Sequence, residues 1–85
     1  MNSFQLLKEN VQEYFQYMLR FYKSVKINVF IVSGDELLIY LKHELTNYEI
    51  QEYININDID SIAPQMVDKF INGVNQVKRK WGILC

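Results

Sequence analysis

Residues 25–56 read VKINVFIVSGDELLIYLKHELTNYEIQEYINI, and the period of two that runs through them decides the fold. Val25, Ile27, Val29 and Ile31 alternate with Lys26, Asn28, Phe30 and Val32, as they do in a strand whose successive side chains point to opposite faces. Ser33, Gly34 and Asp35 form a turn signal. Beyond it Leu37, Ile39, Leu41 and Leu45 alternate with Leu38, Tyr40, Lys42 and Glu44. After the polar break Thr46–Asn47, a third alternation sets Tyr48, Ile50, Ile54 and Ile56 against Glu49, Gln51, Tyr53 and Asn55. Connections this short join antiparallel neighbours, so the stretch predicts a three-stranded meander in the order 1-2-3.

The length of each turn sets which residues meet. A two-residue first turn would place Val29 opposite Tyr40 and Ile27 opposite Lys42, mixing apolar and charged residues on both faces. A three-residue loop, Ser33 to Asp35, instead pairs Ile31 with Leu37, Val29 with Ile39 and Ile27 with Leu41. For the second turn a two-residue loop pairs Leu45 with Tyr48, His43 with Ile50, Ile39 with Ile54 and Leu37 with Ile56. One face becomes almost wholly aliphatic, with Glu52 beside Leu41 as its misfit. A bulge near Gln51 or a helical lysine would be needed to accommodate it.

On either side the period changes to that of a helix. From Ser3 to Ser24, Phe4, Leu7, Val11, Tyr14, Met18 and Phe21 recur at steps of three and four, with Phe15, Leu19 and Tyr22 alongside. Asn2 or Ser3 can cap its start, and Arg20 and Lys23 suit the negative end of its dipole. After Asn57–Ser61, Pro64 fits the first turn of a second helix. Met66, Phe70, Val74, Val77 and Trp81 form its stripe, Gly73 interrupts it at a cost of about 1 kcal/mol relative to alanine, and Gly82 fits its end. The expected fold is α+β, α-β-β-β-α, a single domain over residues 1–85 with both helices on the aliphatic face of the sheet. Eighty-five residues support one core, and an apolar fraction of 49% is enough to fill it.

That arrangement leaves Phe30, Val32, Leu38, Tyr40 and Tyr53 on the opposite face, with Phe30 opposite Leu38 and Tyr40 opposite Tyr53. Nothing in the chain remains to cover them. Contiguous apolar patches of this kind mark contact surfaces, although Asn28, Lys42, Gln51 and Asn55 dilute this one. The expected partner is another protein or a second copy, since one patch can complement itself about a two-fold axis.

Net charge is −1 overall but unevenly spread: +2 over residues 1–34, −6 over 35–60 and +3 over 61–85. The acidic middle is a second candidate surface for a basic partner. The alternative function is nucleic-acid binding by Lys78, Arg79 and Lys80, joined by Arg20, Lys23 and Lys26 if the two helices end side by side. Against it, cations also favour a helix C-terminus for the dipole alone.

Catalytic chemistry finds little material. His43 is the only histidine, which leaves no histidine pair for a metal and no triad, and its place on the core side of a strand suits a packing role. Cys85 is the only cysteine, near Lys78, Arg79 and Lys80, but it lacks the shaped site a nucleophile needs. Asn55, Asn57, Asp58 and Asp60 lack the glycine and closing glutamate of a calcium hand; Asp58, Asp60 and Ser61 suit a helix cap. The expectation is a non-enzyme without metal or cofactor. A lone cysteine, no signal-like opening, no prenylation box at Cys85 and no long apolar run suggest a cytoplasmic protein without membrane contact. Richness in isoleucine, asparagine and lysine fits an AT-rich genome, and with the small size suggests a regulatory inhibitor or adaptor of a phage or mobile element.

Overall fold

The computed structural model describes residues 3–80, with side chains described from Asn10 onward. Its elements are α1 (Ser3–Met18), β1 (Val25–Ser33), β2 (Glu36–His43), β3 (Tyr48–Asn55), a short 3-10 turn (Ile56–Asp58) and α2 (Ile59–Lys80). The strands form one antiparallel sheet in the order β1-β2-β3. Phe15, Met66, Phe70 and Val74 from the helices, with Leu19 just past α1, are buried in one cluster with Val29, Leu37, Ile39, Leu41 and Ile54, so both helices cover the aliphatic face. The expected N-cap, the Phe4 and Leu7 side chains, Trp81, Gly82 and Cys85 lie outside the described residues and side chains. Among the described residues no helix is long and apolar enough to cross a membrane.

In the first hairpin Ile31 faces Leu37, Val29 faces Ile39 and Ile27 faces Leu41, the pairing a three-residue loop implies. The means differ. Ser33 pairs with Glu36, so the turn itself is two residues, and a bulge at Val32 restores the register. Neither Gly34 nor Asp35 takes a left-handed φ. The turn is therefore not one of the primed types that match strand twist, and the bulge supplies the extra residue and the twist.

The second hairpin departs from expectation by two residues. His43 faces Tyr48, Leu41 faces Ile50, Leu37 faces Ile54, and Tyr53 faces Leu38 rather than Tyr40. The loop is four residues, Glu44 to Asn47. Three bonds hold it open: the Glu44 amide donates to the Ser24 carbonyl at 2.9 Å, Thr46 Oγ1 meets His43 Nδ1 at 2.8 Å, and the Tyr48 amide donates to Thr46 Oγ1 at 3.4 Å. Asn47 accommodates the left-handed φ of 62° that closes it. Leu45, expected on the core face, is consequently 69% exposed. A shift of two preserves the faces, which is why the covered and bare surfaces still come out as expected. Glu52 stays on the covered side opposite Ile39, half-buried on edge strand β3, with no bulge to turn it away.

Both helices also differ from expectation at their ends. α1 stops at Met18, and looser turns lead to Ser24 with φ 62°. Its buried stripe is Val11, Phe15 and Leu19; the other stripe leaves Met18 and Phe21 exposed. α2 begins at Ile59, which puts Pro64 inside it and Ser61 in its first turn, where the Ser61 hydroxyl donates to the Asp58 carbonyl at 3.1 Å. The capping role moves upstream to Asn55, whose side chain accepts from the Asn57 amide at 2.8 Å. Gly73 is buried against the Tyr48 ring, with no room for a β-carbon, so its helix-propensity cost is exchanged for close approach of α2 to β3.

Candidate functional site

The bare face of the sheet is built by alternate residues of all three strands. Phe30, Leu38 and Tyr53 stand in one continuous row across it, since Phe30 faces Leu38 and Leu38 faces Tyr53. Phe30 is 51% exposed and Tyr53 62%. Directly opposed residues stand about 5 Å apart at their β-carbons, so the three adjoin and are not scattered. Val32, the extra residue of the bulge, is exposed beside it, and Ile31 on the other face is exposed as well.

The next row is Asn28, Tyr40 and Gln51, and the one after it Lys26, Lys42 and Glu49. The Tyr40 hydroxyl donates to Glu49 Oε2. That bond, then burial, then the Glu49 charge push the phenol above its usual pKa. The apolar row thus lies between Glu36 and Asn55 at the β1–β2 turn and the charged Lys26, Lys42 and Glu49 at the opposite end.

The acidic stretch from Asp35 to Asp60 does not gather into one surface. Glu36 and Glu49 lie on the bare face, Glu52 on the covered one, Asp35 and Glu44 in the two turns, and Asp58 and Asp60 at the start of α2. Among the described residues no three His, Cys, Asp or Glu side chains form a candidate metal site.

The basic residues meet in part. Where the chain leaves α1 and α2 ends, Phe21, Tyr22, Lys23, His43, Leu45, Asn75 and Lys78 line a depression of about 390 Å³. Arg20 sits beside it, with its guanidinium 4.5 Å from the Phe21 ring centre and 4.0 Å from that of Tyr17, while donating to the Tyr17 carbonyl at 2.7 Å. Lys78 Nζ lies 5.6 Å from the Tyr22 ring centre. Arg79 and Lys80 continue α2 beyond the groove, both exposed. Lys26 does not join them; it stands on the bare face opposite Lys42.

His43 is 2% exposed, edge-on to Tyr22 with ring centres 6.2 Å apart. Burial, and secondarily the Lys78 charge, hold its imidazole below its usual pKa. The sequence placed His43 on the core side but gave no sign that it borders a groove, because the loop that brings Leu45 and Thr46 round it depends on tertiary hydrogen bonds. A second depression, of about 320 Å³, lies between α1 and α2 at Val11, Tyr14, Ile59 and Ala63.

No protein-family model matches the chain, and comparisons with curated proteins and with solved structures likewise return no match.

Proposed function

We propose that this protein is a small, non-catalytic binding module of the cytoplasm that associates with a second copy of itself through the bare face of its sheet. The observation that carries the reading is the uncovered Phe30–Leu38–Tyr53 row, an apolar surface that spans all three strands. The order of residues along β2 favours a second copy over an unrelated partner. On this face β2 presents Glu36, Leu38, Tyr40 and Lys42. Laid against its own reverse about a two-fold axis near Ile39, the series sets Glu36 against Lys42 and Leu38 against Tyr40. The Tyr40 hydroxyl is already bonded to Glu49, so covering it strands no donor.

Size sets the expected strength. Three strands of eight or so residues span roughly 14 Å by 26 Å, less than half of the ~800 Å² a side of a standard interface, so association is weak and readily reversed. Sedimentation equilibrium over a range of micromolar to millimolar protein concentrations should therefore show a monomer–dimer equilibrium. Phe30→Asp or Tyr53→Asp should return a monomer with unchanged circular dichroism. A strict monomer at the highest concentration sinks the self-association reading.

A further inference from the structure

The groove at the ends of the two helices is a different surface from the sheet face and carries its own argument. Its walls divide by chemistry. Phe21, 81% exposed, offers an aromatic face; Lys23 and Lys78 bring positive charge; no carboxylate lines it among the described residues. Arg20 holds one side of the Phe21 ring by a cation–π contact, which leaves the ring ordered and its other side open.

The floor of the groove is His43. Its Nδ1 is engaged by Thr46 Oγ1, and Nε2 has no hydrogen-bond partner among the described residues. Thr46 Oγ1 accepts from the Tyr48 amide and, in the tautomer taken here, donates its own proton to Nδ1. That assignment puts the ring proton of a neutral imidazole on Nε2, a donor at the base of a basic groove. A donor, a lysine and an open aromatic face around about 390 Å³ match the size and polarity of a small-ligand site.

We propose that this groove takes one nucleotide unit, with its phosphate between His43 Nε2 and Lys23 and its base stacked on Phe21. Lys78 adds to the field around the phosphate, and Arg79 and Lys80 lie along the path by which a longer strand would leave the groove. The shared chemistry is a phosphate carrying a planar base, and it can come from a free mononucleotide or from a single strand. A strand is sequence-tolerant in such a site because every base has a stackable face.

The test is a titration of the full chain with adenosine monophosphate and, separately, with a fluorescein-labelled oligothymidylate at low salt. It is followed by anisotropy and by the imidazole resonances of His43. The expected result is saturable binding that shifts the His43 signals, weakens about tenfold in Phe21→Ala, weakens in Lys23→Ala and is unchanged in Lys69→Ala, a lysine on α2 that does not line the groove. Binding of the mononucleotide with this pattern identifies a free nucleotide as sufficient. Binding of the oligonucleotide alone identifies the strand. No binding of either probe overturns the proposal. So does binding that ignores Phe21→Ala and Lys23→Ala and disappears only when Arg79 and Lys80 are neutralised, since that describes a diffuse basic helix end. Monomeric variants such as Tyr53→Asp keep the groove intact, so failure here and failure of the sheet-face reading are separable.

Discussion

The two faces of this sheet are woven from the same three strands, yet one is closed by two helices and the other meets solvent with an aromatic row. On the closed face Leu37, Ile39 and Leu41 have no exposed surface, packed under Phe15 and Phe70. On the bare face Phe30 and Tyr53 keep half or more of theirs. Alternation makes both faces inevitable, since a β2 with leucine, isoleucine and tyrosine in succession is apolar on both sides. Burial under the helices confines the apolar contribution to folding largely to the closed face.

Truncation should separate the faces most sharply. Phe70→Ala, which opens a cavity under α2, should cost about 3–5 kcal/mol in urea denaturation, a large share of the stability of a domain this small. Phe30→Ala, measured on dilute monomer, should stay within about 0.5 kcal/mol while weakening self-association. Equal losses from the two changes would mean that the bare face is part of the folding core.

Gly73 probes how tightly the closed face is packed. Alanine there gains about 1 kcal/mol of helix propensity, but its β-carbon enters the space of the Tyr48 ring. A net destabilisation of about 1–3 kcal/mol is expected, and Tyr48→Ala should remove the penalty in a double-mutant cycle. A stabilising Gly73→Ala would show that Tyr48 moves freely and that α2 is held more loosely than described.

A smaller effect comes from His43, at the margin of the closed face. Because burial and Lys78 hold its folded-state pKa below the unfolded value, the unfolded chain binds the proton more tightly. Its contribution is therefore fully present above the unfolded pKa of about 6.5 and is lost as pH falls from there through the folded pKa. Thermal melts should show a drop in Tm between neutral and mildly acidic pH that is shallower in His43→Gln. An unchanged slope in that variant would assign the pH dependence elsewhere.

The smallest expected effect lies on the bare face. Glu49→Gln should bring the Tyr40 phenol back towards its ordinary ionisation, visible as an earlier component in an ultraviolet tyrosinate titration, without altering the fold.

Much of this architecture was legible in the chain. The three period-two runs gave the strands, their order and the identity of each face, and the first hairpin's register followed from keeping like with like. The second hairpin was misjudged because its loop is held by the Glu44–Ser24 bond, a contact between distant segments, and by a His43–Thr46 side-chain bond across the turn, neither of which a two-residue turn rule encodes. The helical period showed two adjoining apolar stripes on the first helix without ranking them; Val11, Phe15 and Leu19 are buried while Met18 and Phe21 are exposed, a division set by the helix's orientation on the sheet. Pro64 reads as a helix start, yet the 3-10 turn capped by Asn55 begins the helical path eight residues earlier. Of the candidate surfaces, all five sheet-face residues were in view from alternation. The groove was visible only as scattered basic residues, because its lining comes from the turns after α1, the end of β2, Leu45 of the misjudged loop and α2.

The central claim, that the bare face is where this protein meets its own copy, is tested most directly by isotope-filtered nuclear Overhauser spectra. The sample is a concentrated mixture of labelled and unlabelled chains. Intermolecular contacts from the Leu38 methyls to the Tyr40 ring, with Phe30 and Tyr53 at their margin, are the expected result. Intermolecular contacts confined to other surfaces, or none at a concentration where the protein stays monomeric, would contradict the claim.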